Sequence, residues 1–234
     1  MKKIFAVVVL LFAVAVADAQ LDSLKAVLNK KRGLKTVPKD RIAIDLLATN
    51  LIHGSPNGFS VKWYSRGINL YFYWDFRIKK SRVSFAPGIG LSYTNFYNNS
   101  QLTDSAGPGA QFRPIADYET NYKINKFTLG YIDIPLELRI RTNRDKLDQC
   151  WKFAIGFKAG VRIDAYTKQS TKVPEQNIRL KPFTDFNLFR AGPTLRIGYS
   201  SFNITAYYGV LGLFKTGRGP VMNEFAVGLS FNGL

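Results

Sequence analysis

Hydrophobic and polar residues alternate along much of this chain of 234 residues. The stretch GINLYFYWDFRIKK at positions 67–80 shows the pattern most clearly. Its large apolar residues are Ile68, Leu70, Phe72, Trp74, Phe76 and Ile78, and between them stand Asn69, Tyr71, Tyr73, Asp75 and Arg77. Because successive side chains leave a β-strand on opposite faces, this segment is predicted to be a strand with one apolar and one polar face.

The same period of two recurs often enough along the chain to predict eight strands. They lie at about 41–51, 67–80, 81–97, 124–141, 151–166, 186–199, 201–211 and 222–231. In the fourth strand, the segment NKFTLG is out of phase with the residues that follow it. A change of phase within one strand predicts a β-bulge, here near Gly130.

The connections between the predicted strands alternate between long and short. The long ones include 52–66, 98–123 and 167–183, and both chain ends fall on the side of the short turns. This alternation is typical of outer-membrane barrels. The sequence therefore predicts an all-β fold: an eight-stranded antiparallel transmembrane β-barrel of the outer membrane, with short periplasmic turns and long extracellular loops.

The apolar faces could point into a soluble barrel or out toward lipid. An eight-stranded barrel has an interior just wide enough for side chains to fill, and the apolar faces carry too many large residues to fit there. The opposite faces are rich in small residues interspersed with charges. Turning those charges to lipid would cost on the order of 10 kcal/mol, which is comparable with the whole stability of a domain. The apolar face is therefore predicted to lie outside. Aromatic residues near the strand ends, including Tyr93, Phe96 and Tyr97 at the outer end, are predicted to form girdles at the membrane interfaces.

The charged residues of the opposite faces are predicted to form a polar network in the lumen. Its predicted members are Asp75, Arg77, Asp133, Glu137, Arg139, Lys158, Arg162, Asp164, Arg190 and Arg196. Such charges either pair in a hydrogen-bonded plug or line a narrow path for ions or small molecules. The narrowness of eight strands favours the plug.

The chain begins with features of an export signal. Lys2 and Lys3 precede an apolar run too short to span a membrane, and small residues precede Gln20. Residues 1–19 are predicted to be a signal peptide cut between Ala19 and Gln20, residues 20–40 a basic periplasmic arm, and residues 41–234 the barrel. The predicted location is the cell outer membrane, with both termini in the periplasm.

The formal net charge is +17. An exported chain rarely meets nucleic acid, so no nucleic-acid partner is predicted. Anionic lipids, including lipopolysaccharide headgroups, are the expected partners. The predicted outer loops carry a cationic excess from Lys62, Arg66, Lys168, Lys172, Arg179, Lys181, Lys215 and Arg218.

Two segments, YIDIPLELRI and GFKAGVRIDAY, carry a family resemblance. Their characteristic positions are Tyr131, Asp133, Ile134, Pro135, Leu136, Arg139, Gly156 and Gly160. Here, and over about 40–232, the chain resembles the PorT-like family of small outer-membrane β-barrel domains of Bacteroidetes. The resemblance implies a barrel fold, an outer-membrane location and, for some members, a supporting role in type IX protein secretion. It implies no catalytic residue.

The sequence offers little for catalysis. His53 is the single histidine and Cys150 the single cysteine, and no metal-ligand spacing or nucleophile motif is present. No cofactor is expected. A lipid-modifying enzyme that uses His53 with Ser55 or Ser60 is one alternative, and a narrow pore or small-molecule-binding barrel is another. The favoured interpretation is a non-enzymatic barrel with a structural or accessory role in protein secretion or envelope assembly, with an envelope or secretion-complex protein as a partner.

Overall fold

The structure, a computed structural model, describes residues 41–54, 56, 58–78, 81–103, 109–115, 122–143, 149–171, 177–180 and 185–232. The predicted signal peptide (1–19), its cleavage site and the basic arm (20–40) lie outside the described residues. They stay predictions.

The described residues form twelve strands. These are β1 (Ile42–Ile52), β2 (Arg66–Tyr73), β3 (Phe76–Arg77), β4 (Val83–Tyr97), β5 (Ser100–Thr103), β6 (Gln111–Pro114), β7 (Tyr122–Arg141), β8 (Trp151–Thr171), β9 (Asn177–Leu180), β10 (Phe189–Tyr199), β11 (Phe202–Tyr208) and β12 (Asn223–Asn232). Over these residues, no helix has the length and hydropathy needed to cross a membrane.

Eight of the strands close into an antiparallel barrel. Their order around the wall is β1, β2, β4, β7, β8, β10, β11 and β12, and β12 pairs back onto β1. The predicted fold class is confirmed. The remaining strands are additions at the ends of the wall: β3 continues the line of β2 against β4, β9 extends the pairing of β8, and β5 and β6 form a separate hairpin.

The outer surface of the wall is apolar and its interior is not. Ile68 is 51% exposed and Ile155 is 63% exposed, whereas Asn69 and Tyr71 are buried. This is the alternation expected when one face of every strand contacts the medium and the other faces a filled interior. The predicted placement of the apolar face on the outside is confirmed.

The register between β7 and β8 shifts at the predicted position. Gly130 pairs with Asp164 and Tyr131 with Arg162, so Ile163 is the extra residue and the bulge lies on β8. β7 itself keeps its alternation through this point. The bulge turns Asp164 to the same outward face as Gly130, and this is why the prediction of Asp164 in the lumen is wrong.

Candidate functional site

The interior of the barrel is the candidate functional site, because it gathers most of the buried charge of the described residues. In the part of the chain that the structure describes, five carboxylates and five cations inside the wall are buried. We call them the charged network: Asp45, Asp75, Asp133, Glu137, Glu224, Arg139, Arg141, Lys158, Arg190 and Arg196. Equal numbers of each sign let every buried charge find an opposite partner, as burial requires.

Asp133, on β7, lies at the centre of the charged network and is fully buried. Arg190 binds it through two hydrogen bonds, from Nε to Oδ1 at 3.0 Å and from Nη2 to Oδ2 at 2.6 Å. Tyr71 Oη donates to Oδ2 at 2.9 Å. Gly160, opposite Asp133 on β8, makes this possible, because a Cβ at that position would lie 2.1 Å from Asp133 Oδ1. The paired fork is the strongest common form of Arg–carboxylate contact.

Glu137, two positions further along the inward face of β7, is held by three side chains. Tyr73 Oη donates to Oε1 at 2.7 Å, and Arg139 Nε donates to Oε2 at 2.8 Å. Arg196 Nη2 lies 3.4 Å from Oε1, while its Nη1 lies 3.3 Å from Asp45 Oδ1. Arg196 therefore links β7 to β1 across the interior.

Asp75 lies in the break between β2 and β3, near the end of the barrel that carries the short turns. Arg139 Nη1 donates to Asp75 Oδ2 at 3.2 Å, and Arg141 forms an ion pair with the same oxygen. Arg141 Nη1 also donates to Ser84 Oγ at 2.6 Å. These contacts fasten the short-turn end of the interior.

Tyrosine rings fill the space between the charges. The Arg190 guanidinium carbon lies 4.1 Å from the centre of the Tyr131 ring, and Lys158 Nζ lies 3.8 Å from the centre of the Tyr207 ring. A cation over an aromatic face is stabilised without a second carboxylate. The rings therefore exclude water and support the cations together.

The structure brings seven of the ten predicted lumen residues into the charged network: Asp75, Asp133, Glu137, Arg139, Lys158, Arg190 and Arg196. Arg77 is half-buried on β3 and borders a small cavity beside Arg141 at the short-turn end. Arg162 lies nearer the long-loop end of the barrel, with its guanidinium carbon 5.9 Å from the Phe186 ring centre. Asp164 is outside the wall, with Arg179 Nη2 at 3.9 Å from its Oδ2.

Sequence reasoning left Asp45, Arg141 and Glu224 out of the predicted network. All three are buried. The alternation of each strand already indicated their position. Glu224 lies two residues from Ala226, and both fall on the face opposite the apolar residues of their strand. Asp45 and Arg141 likewise fall on the polar faces of the first and fourth predicted strands. The alternation of inward and outward positions would therefore have been enough to predict all three as lumen residues.

Toward the long loops, the interior changes character. A set of apolar residues is buried there, and we call it the aromatic cluster: Leu51, Phe59, Phe96, Leu102, Ala110, Phe112, Phe127, Leu129, Tyr131, Phe186, Leu213, Phe214 and Met222. Phe96 stacks on Phe127 with ring centres 5.0 Å apart, and Phe186 stacks on Phe214 at 4.9 Å. The sequence placed Phe96 in an outer aromatic girdle, and that placement is wrong because its side chain points inward and is fully buried.

The aromatic cluster explains the change of phase in NKFTLG. Phe127 pairs with Phe96, Leu129 with Thr94 and Tyr131 with Ser92, and all of them lie on the inward face. The inward positions of β7 change from apolar to charged along one unbroken alternation. The change of phase in the sequence therefore marks the point where the inward side chains of β7 change from apolar to charged. The bulge at the same height of the wall lies on the neighbouring strand, β8.

The loops that supply the aromatic cluster are joined to one another by backbone hydrogen bonds. Isolated bridges pair Val61 with Asn98 and Phe186 with Phe214. The Ala110 N–H donates to the Arg218 carbonyl at 3.0 Å. Gly109, at φ +97°, allows this approach, because a Cβ there would lie 2.8 Å from the Arg218 backbone. The loops form a single cap over the barrel mouth.

Buried side chains fill both regions of the described interior. The cavity bordered by Arg139, Arg141 and Arg196 has a volume of about 10 Å³. That is about the space of one water molecule. The charged network and the aromatic cluster thus close the interior one above the other.

None of the residues that the structure describes forms a catalytic arrangement with His53, the histidine considered for catalysis. His53 is exposed at φ +63°, and its ring centre lies 6.4 Å from that of Tyr208. Among the described residues, no hydrogen bond joins it to Ser60, and Ser55 lies outside them. The part of the chain that the structure describes also contains no group of three His, Cys, Asp or Glu side chains that could hold a metal ion.

Residues 46–216 match the family described as outer membrane protein beta-barrel domain. Among solved structures, the chain is similar to Ail, the attachment invasion locus protein of Yersinia pestis, in complex with the heparin analogue sucrose octasulfate. The identity is 13%, the match covers 82% of this chain and 97% of that chain, and the TM-score is 0.36. A second Ail structure has 12% identity, coverage of 83% and 97%, and a TM-score of 0.35. No curated protein matches the chain.

Proposed function

Because the chain belongs to the family of outer membrane protein beta-barrel domains, we propose that it serves the cell envelope as a closed, non-enzymatic barrel with a structural or accessory role. The outer membrane is the compartment of this family, and the closed antiparallel wall with its apolar exterior suits it. The observation that carries the proposal is that the charged network and the aromatic cluster together fill the described interior. A protein that conducted ions or bound a small molecule inside would need more space than the described interior leaves between its side chains.

A conductance measurement tests the closure. In planar bilayers, we expect no steady current from the purified protein. Phe127→Ala leaves the charged network in place, and Arg190→Ala leaves the aromatic cluster in place, so neither single variant is expected to conduct. Reproducible ion-selective steps from the unchanged protein would favour the narrow pore over the closed barrel.

The proposed orientation in the membrane is supported by the distribution of long and short loops. We place the short turns and both chain ends in the periplasm and the loop cap outside the cell, as in other outer-membrane barrels. The described backbone of the loop cap lies at 53–54, 58–65, 98–103, 109–115 and 209–222. Protease added to intact cells should cleave in these segments and spare the turn at 142–150, and the reverse pattern would invert the orientation.

The accessory role is proposed to serve protein secretion or envelope assembly. The resemblance to PorT-like barrels supports secretion, and the absence of a catalytic arrangement around His53 in the described residues supports a role without chemistry. A deletion strain should lose exported proteins from its surface and medium, and expression of the chain should restore them. Affinity purification from gently solubilised membranes should retain a stoichiometric envelope protein. Unchanged export would overturn the secretion role.

A further inference from the structure

The outward face of the barrel carries a row of cations near the long-loop end. We call Arg66, Lys126, Lys168 and Arg179 the cationic belt. Tyr97 and Lys126 are paired across β4 and β7, and they share the outward face because Phe96 and Phe127 beside them point inward. Arg66 stands opposite Asn95 on the same face. The belt therefore runs around the outside of the wall over β2, β7, β8 and β9.

The register places like charges directly opposite one another. Lys126 pairs with Lys168 across β7 and β8, and Lys168 pairs with Arg179 across β8 and β9. Like charges in directly opposed positions destabilise an antiparallel pair. Lys126, Lys168 and Arg179 thus stand side by side on three neighbouring strands. An external anion bound to them would make this arrangement favourable.

The protein compensates the belt only in part. Arg179 stacks on Tyr166 at 3.7 Å from the ring centre and lies 3.9 Å from Asp164. Arg66 and Lys126 converge on the Tyr97 ring, at 5.9 and 5.2 Å from its centre. Of the described carboxylates, none is within ion-pair distance of Arg66 or Lys126. Lys126 Nζ donates to the neutral Asn95 Oδ1 at 2.7 Å, so within the described residues neither cation has its charge balanced by a carboxylate.

An apolar groove begins beside Arg66. It has a volume of about 530 Å³ and is lined by Leu46, Ile68, Trp63 and Tyr64 together with Arg66. Trp63 is 89% exposed, so its indole stands away from the wall as one side of the groove. The groove therefore joins an apolar slot of ligand size to a cationic rim.

We propose that the groove and the belt together bind one phosphorylated lipid of the outer leaflet, with an acyl chain along Leu46, Ile68 and Trp63 and the headgroup phosphates on Arg66, Lys126 and Lys168. Phosphate oxygens accept charge-assisted hydrogen bonds from Arg and Lys, and indole rings favour the boundary between acyl chains and headgroups. The inference rests on the proposed orientation, which puts the belt at the outer leaflet.

Binding of lipid to the purified full chain tests the proposal. Diphosphoryl lipid A is titrated against the protein in a non-ionic detergent and read by native mass spectrometry, beside the dephosphorylated lipid. Each belt charge is expected to contribute about fivefold in affinity, so K126Q/K168Q should bind about 25-fold more weakly. K126R/K168R keeps both charges and should bind like the unchanged protein, which separates loss of charge from misfolding.

Two matched controls isolate the site. R82Q/K215Q removes the same charge from exposed positions outside the belt and should change affinity less than twofold. Trp63→Ala should weaken binding severalfold, whereas Trp151→Ala, which removes another exposed indole near the short turns, should not. Equal losses from K126Q/K168Q and R82Q/K215Q would reduce the effect to general charge attraction and overturn the proposal.

A stability measurement gives a second readout. Without phosphorylated lipid, K168Q should unfold at the same temperature as the unchanged protein or higher, because it relieves the opposed charges. With lipid A, the unchanged protein should gain more than K168Q. Inorganic phosphate is the control for the occupant. If phosphate alone abolished lipid binding and also raised the unfolding temperature as much as lipid A does, the lipid would be overturned as the occupant. These assays use purified protein, so a failed secretion role leaves their outcome unaffected.

Discussion

In the half of the interior next to the short turns, the buried side chains are charged and meet in ion pairs, with Asp133 and Arg190 at the centre. In the half next to the long loops, most of the large buried side chains are aromatic or aliphatic, with Phe127 and Phe186 in contact at 5.6 Å between ring centres. Both halves are tightly filled, and one strand, β7, contributes to both. The difference therefore lies in what surrounds each half.

We infer that the medium outside the wall decides what the interior contains. Where lipid surrounds the wall, burying an apolar side chain gains little, because the acyl chains are as apolar as the interior. Polar contacts must then hold the strands together across the lumen. Where the wall and its loops extend into water, apolar burial is favourable again and builds a core like that of a soluble protein. The transition between the two lies near Tyr131.

The largest expected effect comes from breaking the charged half. Asp133→Asn leaves Arg190 and Lys158 buried beside a neutral amide, and we expect a loss of about 3 to 5 kcal/mol in the free energy of unfolding. Urea unfolding in detergent micelles or vesicles measures it. Asp164→Asn removes the same charge on the outward face of β8 and should cost less than about 1 kcal/mol. Equal losses would show that the buried pairs do not hold the barrel together.

The apolar half should respond in a different way. Phe127→Ala removes a ring from the centre of the aromatic cluster, and we expect a loss of about 3 kcal/mol, in the range of buried phenylalanine truncations. The loops should then be cleaved faster by protease while the barrel wall stays protected. Phe153→Ala, on the exposed outer face, is the matched control. Loops that stay resistant would mean that the cluster does not hold the cap.

A smaller effect is expected from one hydroxyl. Tyr73→Phe keeps the ring that lies 4.2 Å from the Arg139 guanidinium carbon and removes the hydrogen bond to Glu137. We expect a loss of about 1.5 kcal/mol, since the acceptor is charged and buried. Tyr199→Phe, at an exposed position on the outer face, should be neutral in the same unfolding assay.

The smallest effect is expected from His53→Ala, which lies outside both halves. Stability should change by less than about 0.5 kcal/mol, as for an ordinary surface position. The mass spectrum of the outer-membrane lipids should be the same with either residue. A lipid species that disappears with the histidine would restore the lipid-modifying enzyme as a candidate.

The alternation of residue types was enough to predict the closed wall, because a period of two is a local property of each strand. It placed Ile68 outside and Asp133 inside without knowledge of their neighbours. Pairing is different, because it depends on register. The bulge at Ile163 moved Asp164 to the outside, and no feature of the β8 sequence distinguishes that residue from Arg162 on the inward face.

The aromatic cluster could not be predicted from strand periodicity. Phe59, Phe112 and Phe214 come from three loops that are distant in sequence, and only their folding over the mouth brings them together. Phe96 looked like an interfacial aromatic because its strand end carries Tyr93 and Tyr97 on the other face. The alternation along the strand was the available signal, because Phe96 lies between Asn95 and Tyr97 on the outward face and must itself point inward.

The pairing of β1 with β12 runs from Ala43 and Asn232 to Ile52 and Asn223, and it joins the two most distant strands of the chain. Until β12 has been delivered, β1 presents a free edge with unpaired backbone groups, which other strands can capture. We therefore expect this seam to close late in assembly, because its pairing has the longest separation in sequence.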